Sequence, residues 1–230
     1  MVNDEFLEWL KDKYANDNIG EVKAKRGTKH NYLGMTLDYT SPGILKIDMT
    51  EYVKSMREEF PQKIKGRHAT PWTENLFKVD TNAKRLGQER KKTFHTFVMK
   101  GMFLCKRGRP DIQPAIEFLS TRCQDPNEND WNKLIRLMSY LKDTIDDVLI
   151  LEADNSQTVR WYVDAAFAVH KDMKSDTGEI MTMGSGEVIS LSTKQKVNAR
   201  SSTEAELVAV DDVIAKILWT KKFIEWQGLR

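Results

Sequence analysis

The sequence predicts an α+β fold, on the strength of three observations. The chain has 230 residues, 40% hydrophobic and 30% charged, which is typical of a folded protein with one large domain or two small ones. Apolar residues recur at helical spacing in the first 60 residues and again between residues 93 and 146. From residue 147 the apolar residues alternate with polar ones, which is typical of strands.

The pattern of the first unit, residues 1–60, predicts a helix, a hairpin and a second helix. Residues 4–14 place their apolar side chains on one face of a helix. The runs HNYLGMTLDYT and GILKIDM are strand-like, and Ser41-Pro42-Gly43 between them is a turn signal. Thr50 is predicted to cap the second helix.

Two further segments follow with different character. Residues 61–92 contain Pro61, Pro71, two glycines and many charges without periodicity, so they predict an exposed connection. Residues 93–146 contain three apolar stripes at helical spacing, the second of which starts at Pro110. They predict a small helical bundle.

The last predicted unit, residues 147–230, consists of strands followed by one long helix. The runs DVLILEA, VRWYVDAAFAV, GEIMTMG and EVISLS read as strands. A helix is predicted from about Ser201, where alternation gives way to helical spacing.

Charge and cysteine content limit the classes of function. The net charge of +2 and pI of about 8.4 permit nucleic-acid binding without requiring it. No apolar run approaches the roughly 20 residues of a membrane span, and the acidic, amphipathic N-terminus is unlike a signal peptide. Cys105 and Cys123 read as free buried thiols, so no disulfide-linked partner is expected. Zinc-ligand spacing and Walker-type glycine loops are absent from the sequence.

One acid in the stretch SSTEAELVAVDD differs from the other three. On a helix, Glu206 falls within the apolar stripe that includes Val210 and Val213, whereas Glu204, Asp211 and Asp212 fall on a solvated face. An ionised carboxylate facing a core is costly unless it is paired, caps a helix or binds metal. Two interpretations remain open: a capping box of Thr203 with Glu206, matched equally well by Ser201 with Glu204, or a ligand role for Glu206.

Asp164 is the second candidate acid. In RWYVDAAFAV, strand alternation places Asp164 with Arg160 and Tyr162 on one face. Asp is depleted in strands, so the residue marks either a strand end or bulge, or a carboxylate aimed at a metal. A strand Asp and a helix Glu are a plausible start for a Mg²⁺ site, although two-metal phosphodiester hydrolysis normally needs more carboxylates.

Several longer stretches resemble one family. WYVDAAFAVHKDMKSDTGEIMTMGSGEVISLSTKQKVNARSSTEAELVAVDD resembles the ribonuclease H domain of copia-type retrotransposon polyproteins. HNYLGMTLDYTSPGILKIDMTEYVKSMREEFP is similar to the end of the family's reverse-transcriptase palm. The helical residues from Phe94 to Leu141 resemble the region that joins polymerase and ribonuclease H. The resemblance therefore implies a palm-end hairpin with helices, a helical thumb or connection, and a truncated ribonuclease H-like βββα unit.

The resemblance also implies residue roles. It makes Asp164 and Glu206 catalytic metal ligands, with Mg²⁺ as the family's cofactor and RNA–DNA hybrid or other nucleic acid as the partner. Leu33, Gly34 and Met35 resemble the hairpin that holds the primer end. The basic loop KAKRGTKH, residues 23–30, is a further candidate for nucleic-acid contact or, equally, an exposed charged loop. Its basic residues are Lys23, Lys25, Arg26 and Lys29.

The family's remaining catalytic residues are expected outside this sequence. The polymerase Tyr-x-Asp-Asp would precede residue 1, and the later ribonuclease H acids would follow Arg230. The chain is therefore expected to be catalytically incomplete, with Mg²⁺ weakly bound or absent, and to have no membrane partner. By resemblance it is expected in the cytoplasm or nucleus, within virus-like particles in the parent family. The alternatives are a non-catalytic nucleic-acid-binding module, a remnant without function, or assembly with a longer copy.

Overall fold

A computed structural model describes residues 2–14, 22–156 and 158–228, and within them the fold is α+β, as predicted. The helices are α1 (Val2–Lys13), α2 (Thr50–Glu58), α3 (Gln88–Cys105), α4 (Gln113–Thr121), α5 (Glu128–Asp143) and α6 (Ser202–Trp226). The strands are β1 (Lys29–Tyr32), β2 (Met35–Asp38), β3 (Ile44–Asp48), β4 (Leu149–Glu152), β5 (Arg160–Ala166), β6 (Asp176–Thr182) and β7 (Glu187–Lys194). A 3₁₀ turn, Pro110–Ile112, leads into α4.

The first sheet is antiparallel, with strand order β1-β2-β3-β4. The run HNYLGMTLDYT, predicted as one strand, is itself a hairpin in which Tyr32 pairs with Met35. Its two turn residues, Leu33 and Gly34, have φ values of 49° and 77°. Positive φ at both positions matches the twist of a two-residue hairpin, which accounts for the glycine.

β4 completes this sheet although it lies about 100 residues later in the chain. Leu45 of β3 pairs with Leu151 of β4. The strand pairing therefore crosses the predicted boundary at residue 147. Alternation alone identifies a strand but does not identify its partner, so the sequence pattern assigned DVLILEA to the later unit.

The main hydrophobic core lies in the helical layer. Its fully buried side chains come mainly from α2, α3, α4 and α5, and include Val53, Met56, Phe94, Leu104, Ile116, Leu119, Leu134, Leu137, Met138 and Leu141. Asn127 caps α5, accepting hydrogen bonds from the backbone N–H groups of Asn129 and Asp130. The Asp130 side chain accepts in return from the Asn127 N–H, which completes a capping box.

The predicted cap of α2 is wrong. Thr50 is the first helical residue, and the residue before it, Met49, makes no side-chain cap. Instead, the Asp48 carboxylate accepts a 2.7 Å hydrogen bond from the Thr50 backbone N–H. An acid just before a helix also interacts favourably with the helix dipole.

The connection after α2 is irregular, as predicted, but it is only partly exposed. It ends at residue 87, because α3 begins at Gln88. Leu76 is buried against the helices, and the Lys133 ammonium donates to the carbonyls of Leu76 and Lys78 at 2.7 and 2.5 Å. Contacts with α5 therefore hold this segment in place, although its own sequence predicts no helix or strand.

The second sheet is antiparallel, with order β5-β6-β7, and α6 packs across β5 and β6. The order of three strands and then a helix agrees with the sequence prediction. α6 buries Ala205, Ala209, Val213 and Thr220. The wider apolar stripe predicted to be buried is largely exposed: Leu207, Val210, Ile214 and Leu218 point into solvent.

A glycine-flanked turn joins the two sheets. Ser185, between β6 and β7, exchanges backbone hydrogen bonds of 2.8 and 3.0 Å with Glu152 of β4. A Cβ added at Gly186 would lie 2.0 Å from the Ile150 carbonyl oxygen, and one at Gly184 would lie 2.1 Å from that of Glu152. Close backbone approach, together with positive φ, therefore requires glycine at both positions.

Cys105 and Cys123 are free, as predicted. Cys105 is buried as predicted, whereas Cys123 is only half-buried. Within the described ranges, no helix combines the length and hydropathy needed to cross a membrane.

Candidate functional site

Asp164 lies in the middle of β5 with an exposed side chain. It pairs directly with Gly178 of β6, so the two residues share one face of the sheet. Tyr162 and Ala166 are exposed on the same face, whereas Trp161 and Val163 are half-buried on the other. The predicted alternation of β5 is therefore confirmed, and Asp164 sits within a regular pairing of β5 with β6.

α6 covers the opposite face. The Thr177 hydroxyl donates a 3.0 Å hydrogen bond to Asp212, and the Lys216 ammonium pairs with Glu179. Thr177 and Glu179 flank Gly178 in β6, so their side chains point away from the face of Asp164. The sheet therefore separates the Asp164 side chain from the face on which α6 packs.

Glu206 is half-buried in the first turns of α6, next to the buried Ala205. Ser201 caps the helix, since its hydroxyl accepts from the Glu204 N–H at 3.2 Å, and Glu204 accepts from the Arg200 N–H at 2.6 Å. The capping box of Thr203 with Glu206 is therefore wrong. Of the two residue pairs that the sequence offered for the cap, the structure uses Ser201 and Glu204.

The side of α6 that faces the sheet carries a polar layer that the sequence analysis missed. Gln195 donates to Thr177 at 3.1 Å and to the Ala205 carbonyl at 2.9 Å, and Thr177 in turn donates to Asp212. Glu179 is 3% exposed, yet its Oε2 has no hydrogen-bond partner. Sequence alternation did signal that Thr177 and Glu179 share a face, but only the packed helix shows that this face is buried.

A cleft of about 770 Å³ opens on the face of Asp164, between the sheet and the helical layer. Its lining includes Phe77 and Pro110 on the helical side, and Tyr162, Asp164 and Ile180 on the sheet side. Apolar side chains of the helical side, Phe77 and Pro110, therefore share this cleft with the carboxylate of Asp164.

Asp176 and Ser192, which line this cleft, belong to a buried hydrogen-bonded group that the sequence analysis did not single out. His170 Nε2 lies 3.0 Å from Asp176, whose other oxygen accepts from the Ser192 hydroxyl. The His170 ring also packs edge-on against Phe77. Ser192 bonds to Asp176 and not to the imidazole, so these residues lack the serine–histidine contact that a hydrolytic triad needs. Their role is to join the sheet to the connection.

Glu187 at the start of β7 also lines this cleft. Burial raises the pKa of its carboxyl above the ordinary value, partly offset by a hydrogen bond from Ser190. Among residues 2–14, 22–156 and 158–228, no group of three or more His, Cys, Asp or Glu side chains is placed to hold a metal ion.

The other predicted contacts lie in the first sheet and the loop before it. Leu33 and Gly34 form the exposed tip of the β1–β2 hairpin, and Met35 packs against the helical core. In the basic loop, Arg26 pairs with Asp4 and Lys29 pairs with Asp38. Lys23 and Lys25 are exposed. The hairpin therefore lies in a different sheet from Asp164, and both the hairpin and the loop lie more than 100 residues before it in the chain.

The chain is similar to several transposon proteins. The chain is 27% identical over 190 residues to the Retrovirus-related Pol polyprotein from transposon TNT 1-94 of Nicotiana tabacum, covering 80% of this chain and 14% of that protein. It is 32% identical over 123 residues to the corresponding polyprotein from transposon RE2 of Arabidopsis thaliana, covering 53% of this chain and 8% of that protein. A putative transposon Ty5-1 protein of Saccharomyces cerevisiae is 22% identical over 218 residues, covering 94% of this chain and 68% of that protein.

The chain thus corresponds to a small part of the two plant polyproteins. No protein-family profile and no solved structure matches it. The similarity to several transposon proteins, one of them across nearly the whole chain, agrees with the resemblance seen in its motifs. The chain is therefore similar to Pol polyproteins of copia-type retrotransposons.

Proposed function

We propose that this chain is the part of a copia-type polyprotein that spans the end of the reverse transcriptase and the start of the ribonuclease H domain. The order of elements supports this assignment: a hairpin-containing sheet, a helical layer, and a three-stranded antiparallel sheet followed by a helix. Its role there is to carry Asp164 and Glu206, the first two acids of a hybrid-cleaving site.

We further propose that the 230-residue chain does not cleave RNA–DNA hybrid by itself. One observation carries this proposal: Asp164 is paired with Gly178 on the sheet face opposite to the one that contacts α6. Mg²⁺ takes hard oxygen ligands in a near-octahedral arrangement, and a sheet carboxylate that faces away from α6 does not meet that requirement together with a carboxylate carried by α6. No catalytic step is therefore assigned to the ion in this chain.

The test is a cleavage assay on a labelled RNA–DNA hybrid with Mg²⁺ and, separately, Mn²⁺. We expect no cleavage by the wild-type chain above the level of the Glu206→Gln variant. Cleavage by the wild type that disappears in both Glu206→Gln and Asp164→Asn would overturn the proposal. Glu204→Gln is the matched control, because Glu204 lies two residues away and serves the helix cap.

A second function, binding nucleic acid without cleaving it, has one specific observation in its favour. Lys23 and Lys25 are exposed beside the β1–β2 hairpin, whose tip is also exposed. Phosphate contacts by lysine make affinity fall with salt, with a slope near −0.9 per contact on duplex. The Lys23→Gln/Lys25→Gln variant is expected to bind a hybrid duplex more weakly and with a shallower salt dependence. No binding by the wild type at low salt would reject this function.

A further inference from the structure

Arg57, in the last turn of α2, has a half-buried guanidinium group without a partner. Its Nε is shielded from solvent and has no hydrogen-bond partner in the part of the chain that the structure describes. The guanidinium also forms no ion pair with any described residue. A cation at the end of a helix is favourable for the helix dipole, but this does not account for a buried donor left unsatisfied. Such donors are rare in folded proteins and point to a bound ion, a bound water molecule or a functional role.

Arg57 lines a recess of about 580 Å³ at the end of α2. Three segments that are distant in the chain form its walls: α2, the connection after it and the end of α5. Besides Arg57, they contribute the ammonium groups of Lys54, Lys63 and Lys142. Charged donors that converge in this way, one of them a planar guanidinium, are suited to the oxygens of a phosphate group.

The recess stays positive after its carboxylates are counted. Two of its four cations have acidic neighbours: the pairs are Lys54 with Glu51 at 2.7 Å and Lys142 with Asp143 at 3.5 Å. Arg57 and Lys63 have no such pair among the described residues. Glu58 is the one carboxylate among the lining residues that the structure describes. One positive charge is therefore in excess, beside a donor without an acceptor.

The connection extends this positive charge beyond the recess. Lys65 and Arg67 follow Lys63 at alternate positions, and all three side chains are exposed. Neither Lys65 nor Arg67 has an ion-pair partner within the described ranges. The surface therefore consists of the recess and a short row of unpaired cations that leads away from it.

Contacts with the helical layer hold this row in place. Ile64, between Lys63 and Lys65, packs against the helical core. The Gly66 carbonyl accepts hydrogen bonds from the Ser139 hydroxyl at 3.2 Å and from the Lys142 ammonium at 3.1 Å. The segment is therefore ordered without a ligand, so binding requires little further loss of backbone entropy.

We propose that the recess binds a phosphate group of a nucleic-acid strand, and that Lys65 and Arg67 bind neighbouring phosphates. This inference rests on the second function proposed above, binding without cleavage, but assigns it to a surface apart from Lys23 and Lys25. The Arg57 guanidinium donates to the phosphate oxygens in its own plane. A single small anion needs only the recess, whereas a row of cations suits a ligand with regularly repeated charge.

The same cations are less suited to a lipid surface. Segments that lie on membranes combine basic residues with apolar side chains that enter the lipid. No large apolar side chain between residues 40 and 98, all of which the structure describes, is exposed, and Ile64 packs against the core. The backbone of a nucleic acid satisfies the cations without any apolar contact.

The first test observes the Arg57 Nε–H directly, by arginine side-chain NMR of the full chain. Its signal is identified by its absence from the Arg57→Lys variant. We expect this signal to shift, saturably, on titration with an RNA–DNA hybrid duplex and, at constant ionic strength, with inorganic phosphate. A signal that does not change when the chain binds the duplex would overturn the proposal.

The second test compares affinities for the same duplex over a range of salt concentrations. Arg57→Gln is expected to weaken binding about tenfold and to reduce the salt slope by about 0.9, the value for one phosphate contact. Lys222→Gln removes an exposed cation on α6, far from the recess in the chain, and is the matched control with unchanged affinity. Circular dichroism checks that the variants fold. Equal effects of Arg57→Gln and Lys222→Gln would contradict a site in the recess.

A further variant separates a strand from a free phosphate. Lys65→Gln/Arg67→Gln is expected to weaken duplex binding but to leave the response of the Arg57 signal to inorganic phosphate unchanged. Full affinity of this variant for the duplex would overturn the assignment of a strand and leave phosphate alone as the ligand. Binding to phosphatidylserine vesicles that is lost in Arg57→Gln, while duplex binding is kept, would overturn the proposal in favour of a membrane.

The affinities also separate this inference from the function on which it rests. Weaker duplex binding in Lys23→Gln/Lys25→Gln but not in Arg57→Gln would overturn the recess as a site and leave the proposed function standing. Weaker binding in Arg57→Gln alone would support the recess and reject the contribution of the two lysines. No duplex binding by the wild type at low salt would reject both.

Discussion

The hydroxyl of Thr177 donates a 3.0 Å hydrogen bond to the carboxylate of Asp212, which joins β6 to the middle of α6. Asp212 belongs to the Val-Asp-Asp run that the sequence analysis placed on a solvated face. The structure gives it a partner on the sheet, so one of the two consecutive acids anchors the helix. Its neighbour Asp211 is exposed, as predicted.

This hydrogen bond should contribute to stability. Thr177→Val keeps the shape of the side chain but removes the donor to Asp212 and the acceptor for Gln195. We expect the free energy of unfolding to fall by about 1–1.5 kcal/mol, measured by urea denaturation. Thr193→Val changes the exposed partner of Thr177 on β7 and is the matched control. Equal effects of the two substitutions would show that the hydroxyl–carboxylate contact is unimportant.

The cap of α6 gives a second prediction. Ser201→Ala removes the side-chain acceptor for the Glu204 N–H and should destabilise the chain by about 1 kcal/mol. Thr203→Ala removes a hydroxyl that does not cap the helix, and it should change stability by less than about 0.5 kcal/mol. Urea denaturation followed by circular dichroism measures both. The reverse ranking would restore the capping box of Thr203 with Glu206.

The turn that joins the two sheets gives a third prediction. Gly186→Ala would place a methyl group 2.0 Å from the Ile150 carbonyl oxygen at a φ of 81°, so either β4 or the turn must move. We expect a loss of at least about 2 kcal/mol from overpacking and backbone strain together. Gly87→Ala, where no atom lies within 4 Å of the added carbon, is the control. A neutral Gly186→Ala would mean that the turn does not dock on β4.

Thiol chemistry gives a fourth prediction. Burial raises the pKa of Cys105 to about 12, and its Sγ lies 3.3 Å from the Gln113 side-chain oxygen. At pH 8 only about one Cys105 thiol in ten thousand is then ionised. We expect native protein to react with a disulfide reagent at Cys123 alone, slowly, because burial also raises the pKa of Cys123. Both thiols should react in urea. Rapid reaction of Cys105 in the native chain would contradict its burial.

Lys133 gives a prediction about pH. Burial lowers the pKa of its ammonium group to about 8, below its usual value of 10.5. Between pH 8 and 10.5 the unfolded chain therefore binds a proton that the folded chain does not, so this lysine's contribution to stability rises with pH.

The measurement compares wild type with Lys133→Met by urea denaturation at pH 7 and pH 9.5. The stability difference in favour of the wild type should be larger at pH 9.5. Lys84→Met, which removes an exposed lysine, is the control for general effects of charge. A difference that shrinks at the higher pH would contradict the effect of burial on Lys133.

Local sequence patterns were sufficient to predict the class and order of most elements. Helical spacing located α1 to α6, alternation located the strands from β3 to β7, and the Ser41-Pro42-Gly43 turn separated β2 from β3. These features are local: each depends on the periodicity of a short segment or on the backbone preferences of a few residues. The motifs around Asp164 and Glu206 likewise carried the family resemblance without any structure.

Contacts between elements that are distant in the chain determine what each surface faces. The tertiary structure paired β4 with β3 across the predicted boundary, ordered the connection against α5 through Lys133, and gave the cap of α6 to Ser201. It also left the stripe of Leu207 and Ile214 in solvent, although the pattern alone made it the natural core face. The physical reason is that apolar periodicity shows which residues share a face, whereas only long-range packing determines whether that face is covered, and by what.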